Sequence, residues 1–274
     1  MKKPSSTNGI VSLVGAGPGD PELLTLKALK AIESAQAVVY DRLVSDAIMQ
    51  HVPKGIPTFY AGKSCKQKAM TQEEINELLI SLARTGTRVV RLKGGDPFLF
   101  GRGGEECIAL KEADIPYEIV PGISSAQGCG AYAGIPLTHR GLATGVRFLT
   151  GHRMTKEEGQ EELEMNWQSL ADPDTTLVVY MGLVNLPIIA SKLIEHGLPP
   201  TTPAAAIEQG TLAQQKVTTA DLADIANKVE SEGLQPPTLV IIGKVAALSD
   251  ILQWVDQSSL KNTSESPSAF TKLS

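Results

Sequence analysis

Ile10-Val-Ser-Leu-Val-Gly-Ala-Gly-Pro-Gly-Asp20 sets the pattern of the chain: a short β-forming run empties into a glycine loop. Leu23, Leu24, Leu26, Leu29 and Ile32 then mark one helical face, and Ala37-Val-Val-Tyr40 reads as the next strand. Strand, loop, helix and strand in that order predict α/β layers with largely parallel strands.

The pattern continues along the chain. Thr71 with Glu74 forms a capping box ahead of Ile75, Leu78, Leu79 and Leu82, which recur at helical spacing. Arg88-Val-Val-Arg-Leu92 enters Lys93-Gly-Gly-Asp-Pro97, and Tyr117-Glu-Ile-Val120 enters Pro121-Gly122. A second set of strands is expected at residues 146–150, 176–180, 204–207, 216–219 and 238–242. The expected organisation is a flexible N-terminus over residues 1–8, an α/β domain over 9–120, a second over 121–256, and a flexible tail over 257–274. That tail turns to Ser, Thr, Lys and Glu, with too little apolar content to offset its ordering entropy. The uncharged run Ile119–Thr138 has the length of a membrane span, but Pro121, Pro136 and four glycines make it a turn, helix and turn.

Composition narrows the function. In 274 residues, 42% are hydrophobic, and 25 Lys+Arg stand against 30 Asp+Glu for a formal net charge of -5. No basic arm gathers phosphate backbones, which argues against nucleic-acid binding. The start of the chain lacks the apolar core of a secretory signal. Cys65, Cys107 and Cys129 are too far apart for a CxxC pair and are odd in number, which fits a reducing cytoplasm. His51, His139, His152 and His196 show no metal-ligand spacing, so no metal is expected.

Glycines at strand ends let a ligand approach the backbone, and open α/β sheets bind ligands beyond the carboxyl ends of their strands. Gly15–Asp20, with Asp41 about 20 residues further on, suggests a dinucleotide fingerprint. Two details oppose it. The position of the third glycine is Asp20, an anion where pyrophosphate would dock, and Pro18 removes a backbone donor. A plain strand-to-helix turn with Asp20 or Pro21 starting the helix explains the same residues. Gly94–Glu106 is more telling, since five glycines, Phe98, Phe100 and Arg102 fall within thirteen residues. An uncharged glycine wall, a carboxylate such as Asp96 and nearby aromatics suit a small cationic ligand that carries a ribose.

Taken together, Val14-Gly-Ala-Gly-Pro-Gly-Asp20, Tyr40-Asp-Arg-Leu-Val44, Gly62-Lys63, Arg91-Leu-Lys-Gly-Gly-Asp-Pro97, Pro121-Gly-Ile-Ser124, Gly134-Ile-Pro-Leu-Thr-His-Arg140 and Tyr180-Met-Gly182 resemble the tetrapyrrole methylase family, over about Gly9 to Trp254. The resemblance implies two α/β domains with S-adenosyl-L-methionine in the inter-domain cleft, and a homodimer. It implies methylation of uroporphyrinogen III on two ring carbons, through precorrin-1 to precorrin-2. Cofactor contacts would fall on Pro18, Gly94, Gly95, Asp96, Leu99, Ser124, Ser125, Met181 and Gly210. Ser124-Ser125 and Leu99 depart from the residues common in the family but keep their polar or apolar character. The family's proton acceptor and donor correspond to Asp41 and Lys63.

For a methyl already activated on sulfonium, in-line positioning matters most and acid–base help is secondary. Asp41 is expected to take a ring proton or support developing charge, with an ion pair to Arg42 as the plain alternative. Lys63 would donate a proton if desolvated, or hold a substrate carboxylate. The substrate is a polycarboxylate, so Arg42, Arg102 and Arg140 are candidate forks for it, with Glu105 orienting Arg102. Arg102 stays protonated, so its expected catalytic part is positioning and charge stabilisation. Met181 would pack on or bond adenine, or else belong to the core. No domain is seen ahead of Gly9 to process the product, so a separate enzyme is expected to consume it. A nucleotide-dependent oxidoreductase and a non-catalytic adenosyl-ligand module are the competing readings. Asp20 argues against the first, and Asp41, Lys63 and Arg102 together argue against the second.

Overall fold

Thr71 Oγ1 accepts from Glu74 N at 3.2 Å and Glu74 Oε2 accepts from Thr71 N at 2.7 Å, closing the capping box that the sequence predicts. A computed structural model describes residues 9–62, 70–152, 154–155 and 161–255. The terminal stretches expected to be loose, 1–8 and 257–274, lie outside them. The chain divides into two compact units, Met1–Ser125 and Ala126–Ser274.

The first unit runs β1 (Val11–Gly15), α1 (Leu26–Glu33), β2 (Ala37–Tyr40), α2 (Asp46–Met49), β3 (Thr58–Tyr60), α3 (Gln72–Arg84), β4 (Val89–Lys93), α4 (Gly103–Glu112) and β5 (Tyr117–Val120). Its strands form one parallel sheet in the order β3-β2-β4-β1-β5. Strand alternation splits the core in two. Val11, Leu13, Val39 and Val89 face Ile75, Leu79, Ala83 and Leu110 of α3 and α4. Val14, Val38, Val90 and Leu92 face Ala28, Ile32 and Ile48 of α1 and α2. The first helix departs from the expected face. Asp20 caps a 3-10 turn, Pro21–Leu23, accepting from Glu22 N, and Thr25 then caps α1 by accepting from Ala28 N. With that break in the chain, Leu26 falls on the solvent side at 78% exposure, while Ala28 and Ile32 are buried.

The second unit follows with α5 (Ser125–Tyr132), which begins at the last residue of the first unit, then β6 (Gly145–Thr150), β7 (Met154–Thr155), β8 (Glu161–Glu162), α6 (Trp167–Leu170), β9 (Thr175–Tyr180), α7 (Leu186–Glu195), β10 (Pro203–Glu208), β11 (Lys216–Asp221), α8 (Ile225–Ser231), β12 (Thr238–Ile242) and α9 (Ser249–Leu252). The expected turn, helix and turn over Ile119–Thr138 is present, with α5 at its centre. No helix among the described residues is long and apolar enough to cross a membrane.

The sheet order is β11-β10-β12-β9-β6, and here the expectation of parallel strands is overturned. Only β6 and β9 pair in parallel; β9–β12, β12–β10 and β10–β11 are antiparallel. The segment between Glu208 and Lys216 is too short for a crossover, so β11 folds straight back on β10. Leu177, Val179, Ala204, Ala206, Val240 and Ile242 meet α7 and α8 on one face, and Val178, Ala205, Ile207 and Ile241 meet Ala126 and Cys129 on the other.

Candidate active site

In a parallel sheet the loops after the strands gather at one edge, and in the first unit three of them lock together. Ala16 N donates to Lys93 O at 2.7 Å, and Gly17 and Gly95 exchange N–H···O bonds of 3.1 and 2.7 Å. Asp96 ties in the third loop: its Oδ1 accepts from Phe98 N at 2.8 Å and its Oδ2 from Gly122 N at 3.1 Å.

Much of the glycine content also serves the packing of these loops on one another. A Cβ on Gly15 would lie 2.5 Å from Gly122 N and 2.7 Å from Gly95 O, and one on Gly94 would lie 2.5 Å from Leu43 Cβ. Gly95 differs. At φ +68° it has the left-handed backbone that favours glycine, and a Cβ there would meet nothing nearer than Ser125 Oγ at 3.7 Å. The N–H groups of Ala16 and Gly17 are engaged across the loops, and the Asp20 carboxylate caps a turn. Those two N–H groups are therefore not free to cradle a pyrophosphate.

Six residues other than glycine carry positive φ among the described residues: Asp114 follows α4, while Phe100, Arg102, Met181, Gln209 and Thr211 lie in loops after β4, β9 and β10. Left-handed backbone at non-glycine residues costs of order 1–3 kcal/mol and clusters where a site needs it. Arg102 precedes α4, and its Nε and Nη2 grip Glu105 Oε1 and Oε2 at 2.9 and 2.7 Å, the expected fork. That pair holds the Glu105 carboxyl below its usual range and the Arg102 guanidinium above its own. Both side chains remain about half exposed, so the outward N–H groups of Arg102 stay available.

Asp41 follows β2 and takes Leu43 N on Oδ1 at 3.0 Å. Its charge partner is Arg91 Nη2, 3.8 Å from Oδ2, where sequence reading offered Arg42; Arg42 itself is exposed. Arg91 and Lys93 lie on one face of β4, each 4% exposed, and share Glu106 Oε1 at 3.0 and 2.9 Å. Glu106 is fully buried; Gln72 Nε2 reaches the same oxygen at 3.4 Å, and Oε2 has no partner among the described residues. Burial first, and then the Arg91 charge, hold the Lys93 ammonium below the ordinary lysine range, with Glu106 opposing.

In the second unit Met181 follows β9 at 54% exposure, which removes the core-packing alternative. Arg140 is exposed, and Gly210 sits directly against Cys129 Sγ. Burial pushes the Cys129 thiol up to about 12 from 9.0. Below pH 9 folded and unfolded chains both keep this proton. Above it the unfolded chain loses the proton first, so stability falls as pH rises, by up to about 1.4 kcal/mol per pH unit. Cys129→Ala is expected to flatten the alkaline limb of the urea midpoint plotted against pH; an unaltered limb would count against this assignment.

A sequence model of the Tetrapyrrole (Corrin/Porphyrin) Methylases matches residues 11–226. The chain belongs to the tetrapyrrole methylase family. It is 54% identical over 243 residues to the chloroplastic S-adenosyl-L-methionine-dependent uroporphyrinogen III methyltransferase of Arabidopsis thaliana, covering 89% of this chain and 65% of that protein. It is 51% identical over 246 residues to a siroheme synthase of Saccharophagus degradans, covering 90% of this chain and 53% of that one. The chain thus spans between about half and two thirds of the length of these curated relatives. Among solved structures, the uroporphyrin-III C-methyl transferase of Thermus thermophilus complexed with S-adenyl homocysteine aligns with a TM-score of 0.72 and 41% identity, over 86% of this chain and 93% of that one.

Seen as a tetrapyrrole methylase, the chain places Pro18, Gly94, Gly95, Asp96, Leu99 and Ser124 in the three loops at the carboxyl edge of the first sheet, Ser125 at the start of α5, and Met181 and Gly210 after strands of the second. Lys63 lies outside the described residues. Sequence reading missed Arg91, Lys93 and Glu106. The available signal was two charges at alternate positions of the strand-forming Val89-Val-Arg-Leu-Lys93, which places both on one face of a strand flanked by buried neighbours.

Proposed function

We propose that the protein is an S-adenosyl-L-methionine-dependent methyltransferase that places two methyl groups on ring carbons of uroporphyrinogen III, through precorrin-1 to precorrin-2. The observation that carries this is the solved relative with S-adenyl homocysteine bound, whose likeness extends over nearly its whole length. The residues here fit such a ligand. Gly95 offers an open, uncharged backbone, Leu99 and the exposed Met181 offer apolar contact, and Pro18, Gly94, Asp96, Ser124, Ser125 and Gly210 complete the set proposed to hold it.

When bound, S-adenosyl-L-methionine supplies an electrophilic methyl on a sulfonium. The chain's own residues then orient the acceptor and manage its proton. Asp41, 26% exposed, keeps Oδ1 on Leu43 N and offers Oδ2 as the acceptor for the proton released from the methylated ring. Arg102, steadied by Glu105, holds substrate carboxylates with its outward N–H groups, and Arg42, Arg140 and Lys63 add charge for the same purpose. A homodimer acting in the cytoplasm belongs to the same reading, with sedimentation velocity as its check.

Anaerobic incubation with uroporphyrinogen III and S-adenosyl-L-methionine tests the proposal directly. The expected result is a tetrapyrrole heavier by two methyl groups, with one S-adenosylhomocysteine released per methyl. Cofactor binding without methylation would point to another acceptor, and absence of cofactor binding would overturn the reading.

A further inference from the structure

Two cations on one buried carboxylate are costly to hold, because each charge loses its water. Core packing alone does not call for them, since apolar side chains of similar volume fill such a site at least as well. The geometry has a direction. Arg91 donates Nε to Glu106 Oε1 at 3.0 Å and Nη1 to Leu92 O at 3.2 Å, with Val39 O at 3.5 Å. A guanidinium is planar, so fixing Nε and Nη1 also fixes where Nη2 points. It points to Asp41 Oδ2, a charge contact at 3.8 Å. The other oxygen of Asp41 is held by Leu43 N. Lys93 Nζ donates to the same Glu106 Oε1 at 2.9 Å, so the buried trio carries a net positive charge and Asp41 is the next carboxylate it meets.

We infer that Arg91, set by Glu106, is a positioning residue for Asp41: its fixed charge draws Oδ2 while Leu43 N holds Oδ1, and it touches no substrate itself. The inference rests on the proposed proton-accepting part of Asp41, and the test separates the two. Three variants of the full chain are compared with the parent: Asp41→Asn, the paired Arg91→Gln/Glu106→Gln, which replaces that ion pair by a neutral amide pair and leaves Lys93 an amide oxygen in place of its carboxylate, and all three changes together. Methyl transfer is followed anaerobically for kcat and KM, and S-adenosyl-L-methionine binding is measured by calorimetry.

Asp41→Asn is expected to lower kcat by about 10²-fold or more, the range of a lost acid–base group. The amide pair is expected to lower kcat by about tenfold with cofactor affinity unchanged, and the combined variant to be no slower than Asp41→Asn, because groups acting through one another do not add. Losses that multiply, or a paired variant with the parent's kcat, would overturn the inference while leaving Asp41 in its part. Parental kcat in Asp41→Asn would overturn the reading of Asp41 and the inference with it. Should the amide pair fail to fold, Arg91→Lys keeps the charge for Glu106 but lacks the fork, and the same loss of kcat with unchanged cofactor affinity is expected; parental kcat there would overturn the inference.

Discussion

Glu106→Ala is expected to destabilise the first unit by about 3–5 kcal/mol at pH 7, the cost of leaving buried charge without its partner. Glu106 is fully buried and is the nearest carboxylate to both Arg91 and Lys93, at 3.0 and 2.9 Å. Removing it leaves two nearly inaccessible cations facing each other, with Asp41 at 3.8 Å from one of them. Glu106→Gln is expected to cost less, since its amide oxygen still accepts from Arg91 Nε. The pH dependence gives a second check. The Lys93 pKa is already below its unfolded value of 10.5, so between the folded and unfolded values the unfolded chain binds more protons and stability rises with pH. Loss of Glu106 removes an influence that raises the Lys93 pKa, which widens that window downward. The deficit of Glu106→Ala relative to the parent should therefore shrink from pH 7 toward pH 10, and urea midpoints measured at both values decide it. A deficit that stays constant would mean that Lys93 keeps its proton throughout.

The parallel sheet of the first unit was readable because its central strands are buried on both sides and appear as short runs rich in Val and Leu, while the capping box marks where α3 begins. The antiparallel order of the second sheet was not, because strand direction depends on whether a connection crosses over or folds back. Ala204–Ile207 and Thr238–Ile242 look alike whichever way they pair. The exposure of Leu26 was hidden for a related reason, since a helical face drawn from Leu23 onward assumes one continuous helix and the 3-10 turn breaks its phase.

The candidate site was legible by motif and only partly by mechanism. The motifs led to the loops, and the Arg102–Glu105 pair followed from helical spacing. What each group contacts depends on tertiary register. Asp41 is adjacent to Arg42 in sequence, yet β2 and β4 pair so that Val39 lies opposite Arg91, which brings the Arg91 fork toward Asp41. No spacing within one strand reveals that partnership.

Gly122→Ala should be nearly as damaging as loss of Glu106, and more damaging to ligand binding. Its Cβ would be driven into Gly95 O and would lie 2.8 Å from Gly15 Cα, and these obstacles are backbone, so no rotamer change relieves them. Overpacking of this kind costs about 1–3 kcal/mol or more. If the loop withdraws, Gly122 N leaves Asp96 Oδ2, now 3.1 Å away, and a hydrogen bond to a charged acceptor is worth about 1.5–3 kcal/mol. The Gly94–Asp96 turn is held by that same bond, so holding the bound arrangement becomes a cost charged to the ligand. A cost near 3 kcal/mol corresponds to a rise of about 100-fold in the S-adenosyl-L-methionine Kd. Gly104→Ala is the matched comparison: a Cβ there meets nothing within 4 Å, and in α4 an alanine stabilises by up to about 1 kcal/mol. Calorimetric titration and urea unfolding of the two variants should therefore move in opposite directions for stability, with affinity lost only in Gly122→Ala. Parental affinity in that variant would mean that the three loops do not act as one body in holding the methyl donor.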